Sequence, residues 1–361
     1  MSAPINLFVD VTINLTGAVA AKFGFGSPIG VFDHSVTANR IDGPYTDIAA
    51  VELAGFTALA EPEVNAWATS VFSQTNGVDQ LLIGREDAGD ADWTATMNAI
   101  ELFQQVNGTP DFYGVNIESR VKADILEVGA WTQARTKVFG YQTADADALA
   151  GTPGNVFDDM KVLGHTRSFG IYHATSSGSA NGYLDGAWMS KGLGLNLDVP
   201  GGVGIWGLME LAGISGDNIT PTQVLAMQAD NGNVYTDAGG LTFTSTGITA
   251  AGVPQFIDVT TSVDWLKQRT QEAILSLLVG SQTKIPYTDG GINQVVSAWQ
   301  GVLDSGVNFG HLSPDDPPKI SAPLVSSVSS ADKAARELTM TAEATLAGAI
   351  QKVTLVLNLS F

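Results

Sequence analysis

Four kinds of residue in this 361-residue chain have the types and spacing to do chemistry, and each fails on its context. Gly202-Val203-Gly204-Ile205-Trp206-Gly207 matches the G-x-G-x-x-G of dinucleotide binding, where glycines let the pyrophosphate approach a helix N-terminus. Val199-Pro200-Gly201 before it is a poor strand end, and Trp206 would crowd the turn, so a glycine turn anchored by an aromatic is the plainer reading. Residues 24–30 carry glycine at the wrong spacing for the same motif and read as a turn. His34, His165, His173 and His311 lack the one-turn spacing that places two metal ligands on one helix face. Asp145-Ala146-Asp147 opens like a calcium loop, yet Leu149 stands where the next oxygen ligand belongs. The acidic groups Asp87, Asp90, Asp92, Asp158-Asp159 and Asp315-Asp316 read as helix caps and solvated turns. No phosphate-binding G-x-x-x-x-G-K-[ST] and no G-x-S-x-G elbow is present. No catalytic, cofactor-binding or metal-binding residue is therefore nominated, and no cofactor is expected.

Composition narrows the partners. There are 37 acidic against 17 basic residues, a net charge of −20, and no basic cluster to follow a phosphate backbone, so nucleic acid is not expected. No run approaches the roughly 20 apolar residues of a membrane span, and the first residues lack the pattern of a signal peptide. Cysteine is absent, which removes disulfides and thiolate chemistry together and fits assembly in a reducing cytoplasm. Trp67, Trp131, Trp188, Trp206, Trp265 and Trp299 are spread through helical patterns, as core anchors would be.

The elements that must position these residues follow from periodicity. Between residues 80 and 143 the pattern runs strand, helix, strand, helix, strand: strands at 80–84, 112–117 and 137–143, with helices opened by Asp92 and Ser119. That order predicts an α/β fold with a largely parallel, two-sided sheet and flanking helices. A helix is predicted from Thr46, another from Glu61-Pro62-Glu63, a helix stub or loop at 145–153, and a strand at 167–174. Residues 176–216 are glycine-rich and predict loops and short helices. Thr220-Pro221-Thr222-Gln223 opens a helix, residues 233–249 form a hairpin around Gly239-Gly240, and two helices occupy 262–278 and the stretch after Gly291. Residues 311–323 read as a proline-rich surface loop.

Both ends of the chain alternate with a two-residue period. Ile5, Leu7, Val9, Val11, Ile13 and Leu15 share one face, as do Val353, Leu355, Leu357, Leu359 and Phe361. Upstream of the second run, Leu338, Met340, Ala342, Ala344 and Leu346 alternate with polar residues, and Ala347-Gly348-Ala349 turns the chain, predicting a final hairpin. Apolar edge strands invite pairing, either within the subunit or with a neighbour.

The run Asp264-Trp265-Leu266, then residues 284–292 (KIPYTDGGI), then Asp332-Lys333-Ala334-Ala335-Arg336, then Leu346-Ala347-Gly348-Ala349-Ile350 resembles the contractile tail sheath proteins of myovirus-type bacteriophages, in their short, insertion-poor group. The Pro200-Gly201 turn, Asn231-Gly232-Asn233-Val234-Tyr235 and Gly239-Gly240 agree with it, and the likeness spans nearly the whole chain, least around 176–206. The resemblance implies a non-enzymatic virion subunit that polymerises with itself around an inner tail tube. It also implies contacts with baseplate and tail-terminator proteins, assembly in the host cytoplasm, and contraction that drives the tube through the host envelope. It divides the chain into a strand arm at 1–20, an α/β first half at 21–175, a loop and hairpin region at 176–260, and an inner-domain part at 261–361 ending in an arm at 350–361. The two apolar faces become inter-subunit arms, and Lys267, Arg269 and Glu272 become candidates to face the tube. Another tail or baseplate component is the runner-up, and an oxidoreductase using Gly202 to Gly207 the third reading.

Overall fold

The structure is a computed structural model that describes residues 24–175, 179–253, 255–281, 284–351 and 353. Its centre is a strand that local sequence hides. β1 (Pro28–Asp33) lies in the middle of an eight-stranded sheet, parallel to β3 (Leu81–Glu86) on one side and β4 (Gly114–Ile117) on the other. The expectation of a plain turn over residues 24–30 is thus corrected. Gly30 misleads because glycine usually punctuates, yet here it makes room: a Cβ would stand 2.8 Å from the Trp67 ring. Ile29 and Val31 point to one face of the sheet and Phe32 to the other.

The sheet continues through β5 (Val138–Thr143), β6 (Ser168–Tyr172) and β7 (Asn233–Ala238), all parallel, to β8 (Leu241–Thr244), which closes an antiparallel hairpin over Gly239-Gly240. At the other edge β2 (Ile41–Tyr45) pairs antiparallel with β3. A largely parallel α/β sheet is what the strand-helix alternation predicts.

Both faces are covered. One carries α3 (Trp93–Asn107), α4 (Lys122–Gln133), α5 (Ala146–Ala150), α6 (Val156–Leu163) and α8 (Pro221–Ala229), whose Met97, Ile100, Val128, Met160 and Met227 are fully buried. The other carries α1 (Ile48–Leu53), α2 (Pro62–Phe72), α7 (Leu184–Leu193) and the start of α9 (Ile257–Gly280), around Trp67, Trp188, Trp206 and Trp265. The starts obey local rules. Asp92 accepts from the Ala95 amide at 2.7 Å, Thr220 and Gln223 form a reciprocal capping box, and Gly108 ends α3 in the left-handed region. Within 176–216 the main feature is α7. It is buried on nearly every side, so no polar face marks its period. Its Gly192 lies against Trp206, where a Cβ would meet the indole at 2.5 Å.

After α9 the chain forms α10 (Asp289–Phe309), β9 (Lys319–Ser321), α11 (Ser330–Ala335) and β10 (Thr341–Glu343). The stretch read as a loop holds a strand, while most of the second half of the predicted final hairpin falls outside the described residues. β10 pairs antiparallel with β9, inside the stretch read as a loop, in a separate two-stranded sheet. The strand predicted at residues 5–15 and most of the run at 350–361 lie outside the described residues.

Overpacking identifies the α7 contact. Gly192→Ala is expected to destabilise the chain by about 1–3 kcal/mol, read as a lower urea midpoint at unchanged slope. An unchanged midpoint contradicts the Trp206 contact.

Candidate assembly interface

The candidate region is built on α9, whose two halves differ in burial. Its first half is sunk in the molecule and its second half is not: the buried residues run from Ile257 to Glu272, while Leu275, Leu278 and Val279 are more than half exposed. The anchor is Asp264, which is fully buried. Both its oxygens take hydrogen bonds from the Arg167 guanidinium at 2.6 Å, and the Tyr113 hydroxyl donates to it at 2.8 Å. Bidentate pairing fixes orientation as well as charge. Burial, reinforced by the Asp264 charge, pushes the Tyr113 phenol well above its ordinary pKa, so it stays a donor. Arg167 opens the segment into β6 and Tyr113 precedes β4, so one carboxylate ties α9 to the sheet across 97 and 151 residues of sequence.

At the next residue, Trp265 stacks on His311 with ring centroids 4.1 Å apart and planes 15° apart. The Leu197 carbonyl, an acceptor only, lies 3.0 Å from Nε2 of His311, so that nitrogen carries the proton and Nδ1 accepts from the Ser262 hydroxyl. Burial holds the imidazole below its ordinary pKa of 6.5, which favours the neutral ring with Nδ1 as acceptor. His311 follows α10, so the stack fastens the end of α10 to the buried half of α9.

Of the residues nominated to face the tube, Lys267 is exposed, whereas Arg269 and Glu272 are buried. The Arg269 guanidinium donates to both oxygens of Asp198 at 2.9 and 2.7 Å and to Glu272 at 2.8 Å, and Trp265 Nε1 donates to Asp198 at 3.0 Å. Of the three, Lys267 alone is exposed on the helix surface. Asp198, Arg167 and His311 carry no local signal in the sequence, because their partners lie far along the chain.

The distal halves of α9 and α10 pack side by side, with Thr288 capping α10 through the Gly291 amide at 3.2 Å. Ile274, Leu278, Val295 and Trp299 line an apolar groove of about 350 Å³ that Leu338 and Met340 border from the C-terminal segment. That segment is clamped to the residues after α10. The Ser313 amide donates to the Thr345 carbonyl at 2.8 Å and the Ala347 amide to the His311 carbonyl at 3.0 Å. Leu338, Met340, Ala342 and Leu346 are half-buried while Thr339, Thr341, Glu343 and Thr345 are exposed, the predicted alternation except at Ala344, which is exposed. Among the described residues no third strand joins β9 and β10, so both outer edges present backbone groups. Past Ala347 the described residues are mostly exposed, with Ile350 at 84% and Val353 at 70%. Ile5, Leu7, Val9, Val11, Ile13, Leu355, Leu357, Leu359 and Phe361 lie outside the described residues.

The glycine motif at 202–207 sits in coil after α7. No named strand precedes it directly and no helix follows it directly. Trp206 is buried, its carbonyl accepting from Trp188 Nε1 at 2.8 Å and the Thr244 hydroxyl at 3.0 Å. Gly207 passes the backbone of Ser245 and Thr246 too closely for a side chain. These glycines serve packing. Among the described residues no group of three or more histidine, aspartate or glutamate side chains is placed to hold a metal ion.

Comparison with known proteins bears on the same region. Residues 257–315, spanning α9 and α10, match the family described as E217 tail sheath protein gp31-like, C-terminal domain. No curated protein sequence matches the chain significantly. Among solved structures, a chain of the anti-feeding prophage baseplate, 6-fold symmetrised, aligns over 100% of both chains with a TM-score of 0.70 at 10% identity. The sheath complex of the extracellular contractile injection system PVC, in its contracted state, aligns over 99% of this chain and 98% of its own with a TM-score of 0.69 at 10% identity. The sheath tail protein of Desulfitobacterium hafniense aligns over 87% of this chain and 93% of its own, with a TM-score of 0.53 at 8% identity. The chain thus has the fold of contractile-sheath subunits over essentially its whole length.

Two outcomes test the anchor. Asp264→Ala leaves the Arg167 guanidinium without its buried partner and is expected to cost about 3–5 kcal/mol of unfolding free energy; a loss under 1 kcal/mol, about the worth of an exposed ion pair, contradicts the anchoring role. For His311 the unfolded chain takes up its proton first as pH falls. Its contribution is therefore complete above 6.5 and is lost as pH drops from there toward the depressed folded value. Wild-type unfolding free energy should fall with pH below 6.5 more steeply than that of His311→Phe, and equal slopes would count against a neutral, buried His311.

Proposed function

We propose that this chain is a non-enzymatic structural subunit of a contractile phage tail sheath. It polymerises around an inner tail tube and contracts to drive that tube through the host envelope. The observation that carries the reading is the β9–β10 sheet, which no third strand joins among the described residues, presented beyond a helical pair that matches a tail-sheath domain, in a chain whose whole fold is that of contractile-sheath subunits.

The physics is strand addition. An incoming strand satisfies the outer backbone groups of β9 or β10, which supplies direction, and its alternating apolar side chains set the register. Residues 5–15 and 350–361 have that alternation, and Ile5, Leu7, Val9, Val11 and Ile13 with Val353, Leu355, Leu357, Leu359 and Phe361 form the inter-subunit arms. The anchors at Asp264 and Asp198 make each body stiff, so subunits swing as units while the arms keep them joined. Subunits of charge −20 repel one another, so directional backbone pairing and apolar contact must hold the lattice. Lys267, on the exposed side of α9, is the candidate contact to the tube. Arg269 and Glu272 act one step back by holding α9 in place.

The partners on this reading are further copies of the chain, the tube protein, and baseplate and tail-terminator proteins. The particle is assembled in the host cytoplasm and the subunit resides in the virion tail. A baseplate component of the same fold is the second reading, favoured by the full-length alignment to a chain of the anti-feeding prophage baseplate.

Ending the chain after Ile350 is expected to leave a folded subunit with near-normal melting that no longer forms tubes or striated sheaths by electron microscopy. Normal sheaths from the shortened chain would contradict the role given to the terminal strand.

A further inference from the structure

A second hollow, of about 410 Å³, runs between α9 and α10 on the side away from the C-terminal segment. Its walls are small, with Ala273 and Ser276 from α9 and Ala298 and Gly301 from α10, above Trp265 and Phe309. At one end stand Asp198, Arg269 and Glu272. Asp198 and Arg269 are shared with an adjoining hollow of about 580 Å³, whose rim includes Gly24, Phe25 and Gly26, the first described residues. The Arg269 guanidinium lies over the Phe25 ring at 5.5 Å. The chain therefore enters the described structure at the mouth of the α9–α10 groove, with 23 residues preceding it.

The last six of those are Ala18-Val19-Ala20-Ala21-Lys22-Phe23. Small side chains suit a groove walled by alanine, serine and glycine. Reach is sufficient: Arg269 to Ser276 is about 10 Å of helix at 1.5 Å per residue, which three or four extended residues span. Charge agrees as well. Asp198, Arg269 and Glu272 sum to one negative charge, and Lys22 is the sole lysine or arginine among residues 1–23. We infer that the groove between α9 and α10 is the seat of residues 18–23 of the same chain, with Lys22 at the carboxylates of Asp198 and Glu272. The seat sets the direction in which residues 5–15 leave the body. That consequence rests on the sheath reading, whereas the seat itself stands on the groove, the chain entry and the charge.

Absence of cysteine makes the test clean. In the full-length chain, Ala273→Cys or Ala298→Cys is combined with a cysteine substitution at each of positions 18–22 in turn. Dilute protein is oxidised and separated without reductant. At the seat, one or more pairs fall within the roughly 4.4–6.8 Å Cα separation a disulfide requires and close within a single chain. Lys22→Glu added to the best pair should lower the yield of that link. Links formed only between two chains would assign the groove to a second copy and overturn the proposal. So would the lack of any link in variants that melt as the parent does. Tube formation is not read, so a protein that links within one chain and never polymerises retains the seat and loses only the sheath reading.

Discussion

One buried carboxylate sets what the rest of the molecule can do. Asp264 accepts three hydrogen bonds from Arg167 and Tyr113, groups fixed at the starts of β6 and β4, and so converts α9 from a helix lying on a sheet into one bolted to it. Everything downstream inherits its position from that bolt. The Trp265–His311 stack registers the end of α10, the residues after α10 clamp the C-terminal segment, and that segment places β10 against β9. A buried ion pair is a costly way to add stability, because both charges are desolvated. What it supplies here is geometry: a guanidinium fork and a carboxylate meet in one orientation, and a body that moves as a unit needs that definition more than it needs another kcal/mol.

Legibility in the sequence followed how local each signal was. Helices α2, α3 and α8 announce themselves through Pro62, Asp92 and Thr220, because a cap is settled within four residues. The alternation from β3 to β6 was readable for the same reason. β1 was not, since Gly26, Pro28 and Gly30 mimic a turn and only the distant Trp67 ring explains the glycine. α7 hid because burial on all sides erases its period. The face of the C-terminal segment was readable, but its partner strand was not, because β9 has three residues between prolines and turns.

The site was less legible than the fold. Of three charges nominated on α9, Lys267 stands outward, while Arg269 is held inward by Asp198, a residue about 70 positions earlier with no periodic signature, and in turn holds Glu272. Sequence periodicity cannot tell a solvated helix charge from one with a remote partner. The negative findings fared differently: the glycine motif at 202–207 fails on context in the sequence, and the structure gives its glycines a packing task against Trp206, Ser245 and Thr246.

The central claim of the proposed function is that subunits join by adding strands to the outer edges of β9 and β10. Cryo-electron microscopy of the polymerised full-length chain measures this directly. The account predicts a β-strand from another subunit hydrogen-bonded alongside β9 or β10, making that two-stranded sheet larger in the assembly. A well-resolved polymer in which both edges face solvent, with subunits joined through side-chain contacts elsewhere, would contradict it.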